Sequence, residues 1–115
     1  MFSNLSSLKG CPEEVGGKFD CQYCRNLESL EGAPQEVGGS FHCNNCVNLK
    51  SLKGCPKEVG EDFNCINCIS LTSLNGAPEK VGRDFLCYDC GDGLETFTEN
   101  DVKKVCKVKR YIINF

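Results

Sequence analysis

The sequence predicts a β-rich solenoid, a parallel strand stack of four repeats with extended or 3₁₀ return segments and a C-terminal helix-strand cap. Three observations predict it. The pattern Phe-x-Cys-x-x-Cys begins at Phe19 and returns at Phe41, Phe63 and Phe85, each copy 22 residues after the last with no insertion or deletion. Leucine, valine and phenylalanine recur at fixed places in every copy, and glycine and proline recur at fixed places between them. A constant period of this size marks stacked units that bury their apolar faces on one another.

The solenoid spans residues 1–97, with repeats at about 5–26, 27–48, 49–70 and 71–93, and the cap spans 98–115. Its apolar ladders are Leu5/27/49/71, Leu8/30/52/74, Val15/37/59/81 and Phe19/41/63/85. Stacking demands such repetition, because equivalent side chains of adjacent coils lie over one another at the strand spacing of roughly 4.8 Å. Phe-x-Cys alternates, which places Phe and Cys on one face of a short strand and the residue between them on the other. Pro12, Pro34, Pro56 and Pro78 cannot donate to a ladder, and glycines at 10, 32, 54, 76 and at 16, 38, 60, 82 admit tight bends. These are the corners of each coil. No repeat holds ten residues of uninterrupted helical periodicity, so the return side is expected to be extended or 3₁₀.

Both ends need closing. Phe2, with Leu5 and Leu8, is expected to seal the first coil, and Leu94 and Phe97 take the two leucine places after Cys90. Thr98-Glu99-Asn100-Asp101 has the form of a capping box with Asp in place of Glu, and Val102, Val105 and Cys106 share a helical face, so a helix is expected near 99–106. Tyr111, Ile113 and Phe115 then alternate with polar or outward residues, as in a final strand laid on the last coil.

The run Gly-x-x-Phe-x-Cys-x-x-Cys-x-x-Leu, as in Gly16 to Leu27, resembles the leucine-rich-repeat consensus in its cysteine form, with Gly at the first leucine position and Phe and Cys at the next two. The resemblance covers about residues 2–97 and is to an atypical, short repeat. With Leu-x-Ser-Leu-x-Gly-x-Pro-x-x-Val-Gly, the unit is similar to those of small repeat proteins of bacteriophages and large viruses. That resemblance implies a viral source, a host-cytoplasm location, and a role in occupying and inhibiting a host protein, for instance a defence enzyme.

Composition narrows the function classes. Eleven cysteines would suit a disulfide scaffold, but the count is odd and no signal peptide is expected at the N-terminus, which points to reduced thiols and a cytoplasmic protein. The chain lacks a transmembrane-length apolar run. Residues 1–97 carry 14 acids against 8 bases and residues 98–115 carry 2 against 5, a balance that disfavours broad nucleic-acid binding. Two Cys-x-x-Cys pairs brought together would supply four thiolates to zinc, and a zinc-dependent nucleic-acid binder using the basic end (Lys103, Lys104, Lys107, Lys109, Arg110) is the alternative reading. The ladders favour buried structural thiols with no metal or other cofactor, since free cysteine behaves as a small core hydrophobe. Cys11 and Cys55 alternate with Ala33 and Ala77, as in a small buried slot. His42 stands alone, and neither a triad nor a phosphate-binding glycine motif is present, so no enzyme activity is expected.

What remains is a non-catalytic protein-interaction module whose strand face meets a protein partner. Its outward positions vary while the core positions repeat: Lys18, Ser40, Asp62, Asp84; Asp20, His42, Asn64, Leu86; Gln22, Asn44, Ile66, Tyr88; and Tyr23, Asn45, Asn67, Asp89. The candidate contact residues are Tyr23, Asp62, Asn64, Ile66, Asp84, Leu86, Tyr88 and Asp89. Repeats three and four are expected to give this face an apolar centre with an acidic rim.

Overall fold

The computed structural model describes residues 5–91 and 97–112. They form a parallel β-solenoid whose coils carry not one strand ladder but two. The first ladder joins β1 (Glu14–Val15), β3 (Glu36–Val37), β5 (Glu58–Val59) and the start of β7 (Lys80–Leu86), and the second joins β2 (Phe19–Asp20), β4 (Phe41–His42), β6 (Phe63–Asn64) and the end of β7. In the fourth coil the two ladders fuse into one strand of seven residues. From coil one to coil four every rung pairs with its equivalent 22 residues on, Val15 with Val37 and Phe19 with Phe41, so the period in the sequence is the register of the sheet.

The side chains of the ladders fill the interior. Phe41, Phe63 and Phe85 are fully buried, with ring centroids 5.3 Å apart from Phe19 to Phe41, 5.7 Å from Phe41 to Phe63 and 5.0 Å from Phe63 to Phe85. The first two pairs stack nearly parallel and the third is tilted, each adding about 0.5–1.5 kcal/mol beyond area burial. Leu27, Leu30, Leu49, Leu52 and Leu71 sit on the opposite wall, on turns rather than strands, with Leu27 N–H donating to Cys24 C=O at 3.3 Å and Ala33 N–H to Leu30 C=O at 3.0 Å. The small slot holds Ala33 and Cys55 buried and Cys11 and Ala77 half-buried.

The two glycine sets do different work. Gly54, at φ +90°, turns in the left-handed region that disfavours other residues. Gly60 has no positive φ. Its need is space, since a Cβ there would stand 2.1 Å from the Gly38 carbonyl oxygen of the coil before.

The cap closes the C-terminal end as expected and then goes further. α1 (Glu99–Val105) starts from a capping box in which Asp101 N–H donates to Thr98 Oγ1 at 3.3 Å and Thr98 N–H donates to Asp101 Oδ2 at 2.7 Å. That hydrogen bonding holds the Asp101 carboxyl below its ordinary range. β8 (Lys107–Ile112) begins earlier than the alternation of Tyr111, Ile113 and Phe115 suggested, and it pairs in parallel with β7. Lys107 falls opposite Lys80, Val108 opposite Val81 and Tyr111 opposite Phe85, with one register shift between. The cap strand is thus a fifth rung of both ladders. Phe2, Leu94 and residues 113–115 lie outside the described residues.

Candidate functional site

The face outside the second ladder is built by the Cys-x-x-Cys turn. The first cysteine of each pair ends the strand and points inward; the second must return to the core two residues after the chain has left it. It does so through a left-handed residue at Tyr23, Asn45, Asn67 and Asp89, with φ of 62°, 60°, 60° and 57°. Asn and Asp tolerate that region, whereas an aromatic residue there is strained by about 1–2 kcal/mol. Tyr23 is kept at this cost, and it is 49% exposed.

The returning thiols complete the backbone hydrogen bonding. Cys46, Cys68 and Cys90 donate S–H to the carbonyls of Cys21, Cys43 and Cys65 in the coil before, at 3.2, 3.2 and 3.0 Å. All of these cysteines are buried and free of disulfides. Cys21, Cys43 and Cys65 are pushed up in pKa by the hydrogen bond with the facing thiol and then by burial. The same contact draws Cys46 and Cys90 down against burial. Burial likewise pushes Cys24 up to about 11 and Cys87 and Cys106 to about 12. Spacing that suggested a metal ligand set therefore has a structural use, in which Cys46, Cys68 and Cys90 each satisfy a buried carbonyl.

On the outer surface, coils one and two form a hydrogen-bonded polar sheet. Gln22 Nε2 donates to Asp20 Oδ2 at 3.0 Å, Asn44 Nδ2 donates to Gln22 Oε1 at 3.1 Å, and Asn67 Nδ2 donates to Asn45 Oδ1 across the next interval. Ser40 Oγ accepts the Asp62 N–H and Asp62 Oδ1 accepts the Asp84 N–H, both at 3.1 Å. The amide chain of Gln22 and Asn44 then stops. Asn44 Oδ1 is buried without a hydrogen-bond partner among the described residues, and the next rung of its column is Ile66, which has no polar side-chain atom.

Of the sequence-derived contact residues, Ile66, Leu86 and Tyr88 gather on the adjoining third and fourth coils, all half-buried, with Asp62 and Asn64 half-buried beside them and Asp89 exposed at the edge. Asn64 Oδ1 is engaged by the Ile66 N–H at 3.1 Å, which fixes the strand end that carries Ile66. Asp84 is 7% exposed rather than outward, because the cap strand adds to the edge of β7 and lays Arg110 opposite Asp84 in register. Tyr23, in the first coil, stands two to three rungs from the apolar group, roughly 10–14 Å. The structure does not bring it into that group. His42, expected on the exposed face, is half-buried.

Sequence reasoning missed a second concave surface. A cleft of about 760 Å³ runs between the turns of coil four and α1, lined by Ile69, Leu71, Phe97 and Val105, with Asp101 and Lys104 among its polar residues. Ile69 is 48% exposed, and its position, just after the second cysteine, was outside the strand grid. The one available signal was an isoleucine where the other repeats hold Arg25, Val47 and Gly91. Among the described residues no helix is long and apolar enough to cross a membrane, and no three His, Cys, Asp or Glu side chains are grouped to hold a metal ion. No protein-family model, curated protein or solved structure matches the chain.

Proposed function

We propose that the chain is a non-catalytic binding module that docks a protein partner on the strand face of coils three and four. The observation that carries this reading is the break in the amide chain at Ile66. In the column of Gln22 and Asn44 the amide hydrogen bonding gives way to Ile66 and Tyr88, and in the adjoining column Leu86 follows Asn64. A stack has no internal use for that change, since a further amide would have satisfied Asn44 Oδ1. A surface that gives up hydrogen bonds for half-exposed apolar and aromatic side chains is suited to a partner that covers them. Asp62 and Asp89 beside the group select a partner with a basic, partly apolar groove. For a viral chain, occupation and inhibition of a host protein, such as a defence enzyme, is the corresponding biological role.

The test is site-specific photo-crosslinking. A photoreactive phenylalanine at position 66 or 88 should trap one host protein as a discrete adduct in cells, and the same group at Lys57, on the first-ladder side, should trap none. Equal trapping of a host protein at all three positions, or trapping of a host protein at Lys57 alone, would place the partner elsewhere.

A further inference from the structure

The outer face of the first ladder carries a charge column whose order differs from every other column of the molecule. In register it reads Glu14, Glu36, Glu58, Lys80, Lys107, all five exposed. Three carboxylates stand on consecutive rungs and two ammonium groups follow, over a length of roughly 19 Å. Like charges on directly facing rungs are unfavourable. The leucine side avoids them. There Glu28 pairs with Lys50 at 3.1 Å and Glu31 with Lys53 at 3.2 Å, because the sign alternates from coil to coil. None of the five residues of the first-ladder column joins an ion pair of the described residues. A column sorted into blocks meets opposite charge at one junction only, where Glu58 faces Lys80, and the other three intervals set like against like.

It can be neutralised by its own reverse. A second copy laid antiparallel across this face, with a two-fold axis at Glu58, sets Glu14 against Lys107 of the second copy and Glu36 against its Lys80, and the reciprocal contacts double the number. A parallel second copy sets every charge against its like. The ground beneath is suited to close approach, since the column borders a shallow groove of about 390 Å³ whose floor includes Val59, Gly60, Val81 and Gly82. We infer that the Glu14–Glu36–Glu58–Lys80–Lys107 face joins two copies of this chain in an antiparallel, isologous dimer, the self-complementary arrangement that a two-fold axis requires. The strand face of coils three and four remains outside this contact, so the dimer displays two of them. The inference does not depend on the function proposed for that face.

Charge exchange tests it. Glu14→Lys/Glu36→Lys makes four of the five charges positive, and Lys80→Glu/Lys107→Glu makes all five negative, while an equimolar mixture of the two variants restores complementarity at every rung except Glu58. Sedimentation equilibrium at low salt should give a wild-type dimer that weakens by more than about tenfold on passing from 20 to 500 mM NaCl, as screened charges require. Each variant alone should lose at least about tenfold in association, and the mixture should recover to within about threefold of wild type. Glu58→Gln, which removes the repulsion on the axis, should tighten the dimer. Circular dichroism confirms folding, and the milder Glu14→Gln/Glu36→Gln and Lys80→Gln/Lys107→Gln pairs replace any variant that fails to fold. A wild type that stays monomeric at millimolar concentration overturns the inference, as does a dimer insensitive to both variants or a mixture that does not recover.

Discussion

Coil one and coil three are built on the same 22-residue template, yet equivalent residues in them do not have equivalent surroundings. Phe19 and Val15 are half-buried, whereas Phe63 and Val59 are buried; Cys11 is half-buried, whereas Cys55 is 6% exposed. A Cβ on Gly16 would meet nothing within 4 Å, whereas one on Gly60 would strike the backbone of coil two. On the outer face the contrast takes a different form. Gln22 belongs to a hydrogen-bonded chain and Ile66 interrupts one. Interior differences follow from position in the stack, since only coil three has described coils on both sides. The difference between Gln22 and Ile66 does not, and it is the observation on which the proposed docking face rests.

Matched substitutions separate the two kinds of difference. The largest effect is expected in the aromatic column. Phe63 stacks on Phe41 and Phe85, so Phe63→Ala should destabilise by about 3–5 kcal/mol, in the range for a buried phenylalanine. Phe19 stacks on Phe41 and is half-buried, so Phe19→Ala should cost clearly less in urea unfolding. Equal losses would mean that the two coils are equally enclosed. Next, Gly60→Ala should destabilise by about 1–3 kcal/mol through overlap with the Gly38 carbonyl, while Gly16→Ala should leave the melting temperature unchanged or slightly raised. A Gly16→Ala chain as damaged as Gly60→Ala would show that something packs on the first coil.

A smaller contrast is chemical. Burial raises the pKa of both Cys11 and Cys55, but Cys11 is the accessible one, so at pH 8 an aromatic disulfide reagent should label it well before Cys55. The raised thiols also set a pH window. Unfolded cysteines ionise near 9.0, whereas Cys24 and Cys87 hold their protons to about 11 and about 12. The folded state therefore binds more protons in this interval, and stability should be intact below pH 9 and fall as pH rises through 9 toward 12. Thermal melts that are flat from pH 8 to 11 would contradict buried, protonated thiols.

Much of this architecture was legible in the residues. An uninterrupted period fixes the register of a parallel stack, since one slip would break every ladder at once, and Thr98 and Asp101 announce the helix by their reciprocal hydrogen bonds. The first ladder was not legible, because Glu14–Val15 offers one inward residue and then meets glycine, whereas Phe19–Asp20 runs on to an inward Cys21 and so shows alternation. The left-handed turn residues carried a faint signal in Asn45, Asn67 and Asp89, which Tyr23 obscured. Asp84 was misplaced because the final strand was expected from Tyr111 onward, whereas β8 starts at Lys107 and lays Arg110 opposite Asp84. On the candidate site, residue identity gave the apolar group of Ile66, Leu86 and Tyr88. The amide chain that makes Ile66 a break depends on side-chain geometry that sequence does not contain.

The contrast between Gln22 and Ile66 on the outer face is therefore the one to measure. With the partner trapped at position 66 or 88 in hand, calorimetric titration of the wild type, Gln22→Ala and Ile66→Ala gives the answer directly. Ile66→Ala should weaken binding by about 1–3 kcal/mol, in the range for an interface anchor, with Gln22→Ala indistinguishable from wild type and both variants folded. Loss of affinity in Gln22→Ala with Ile66→Ala unaffected would contradict the account.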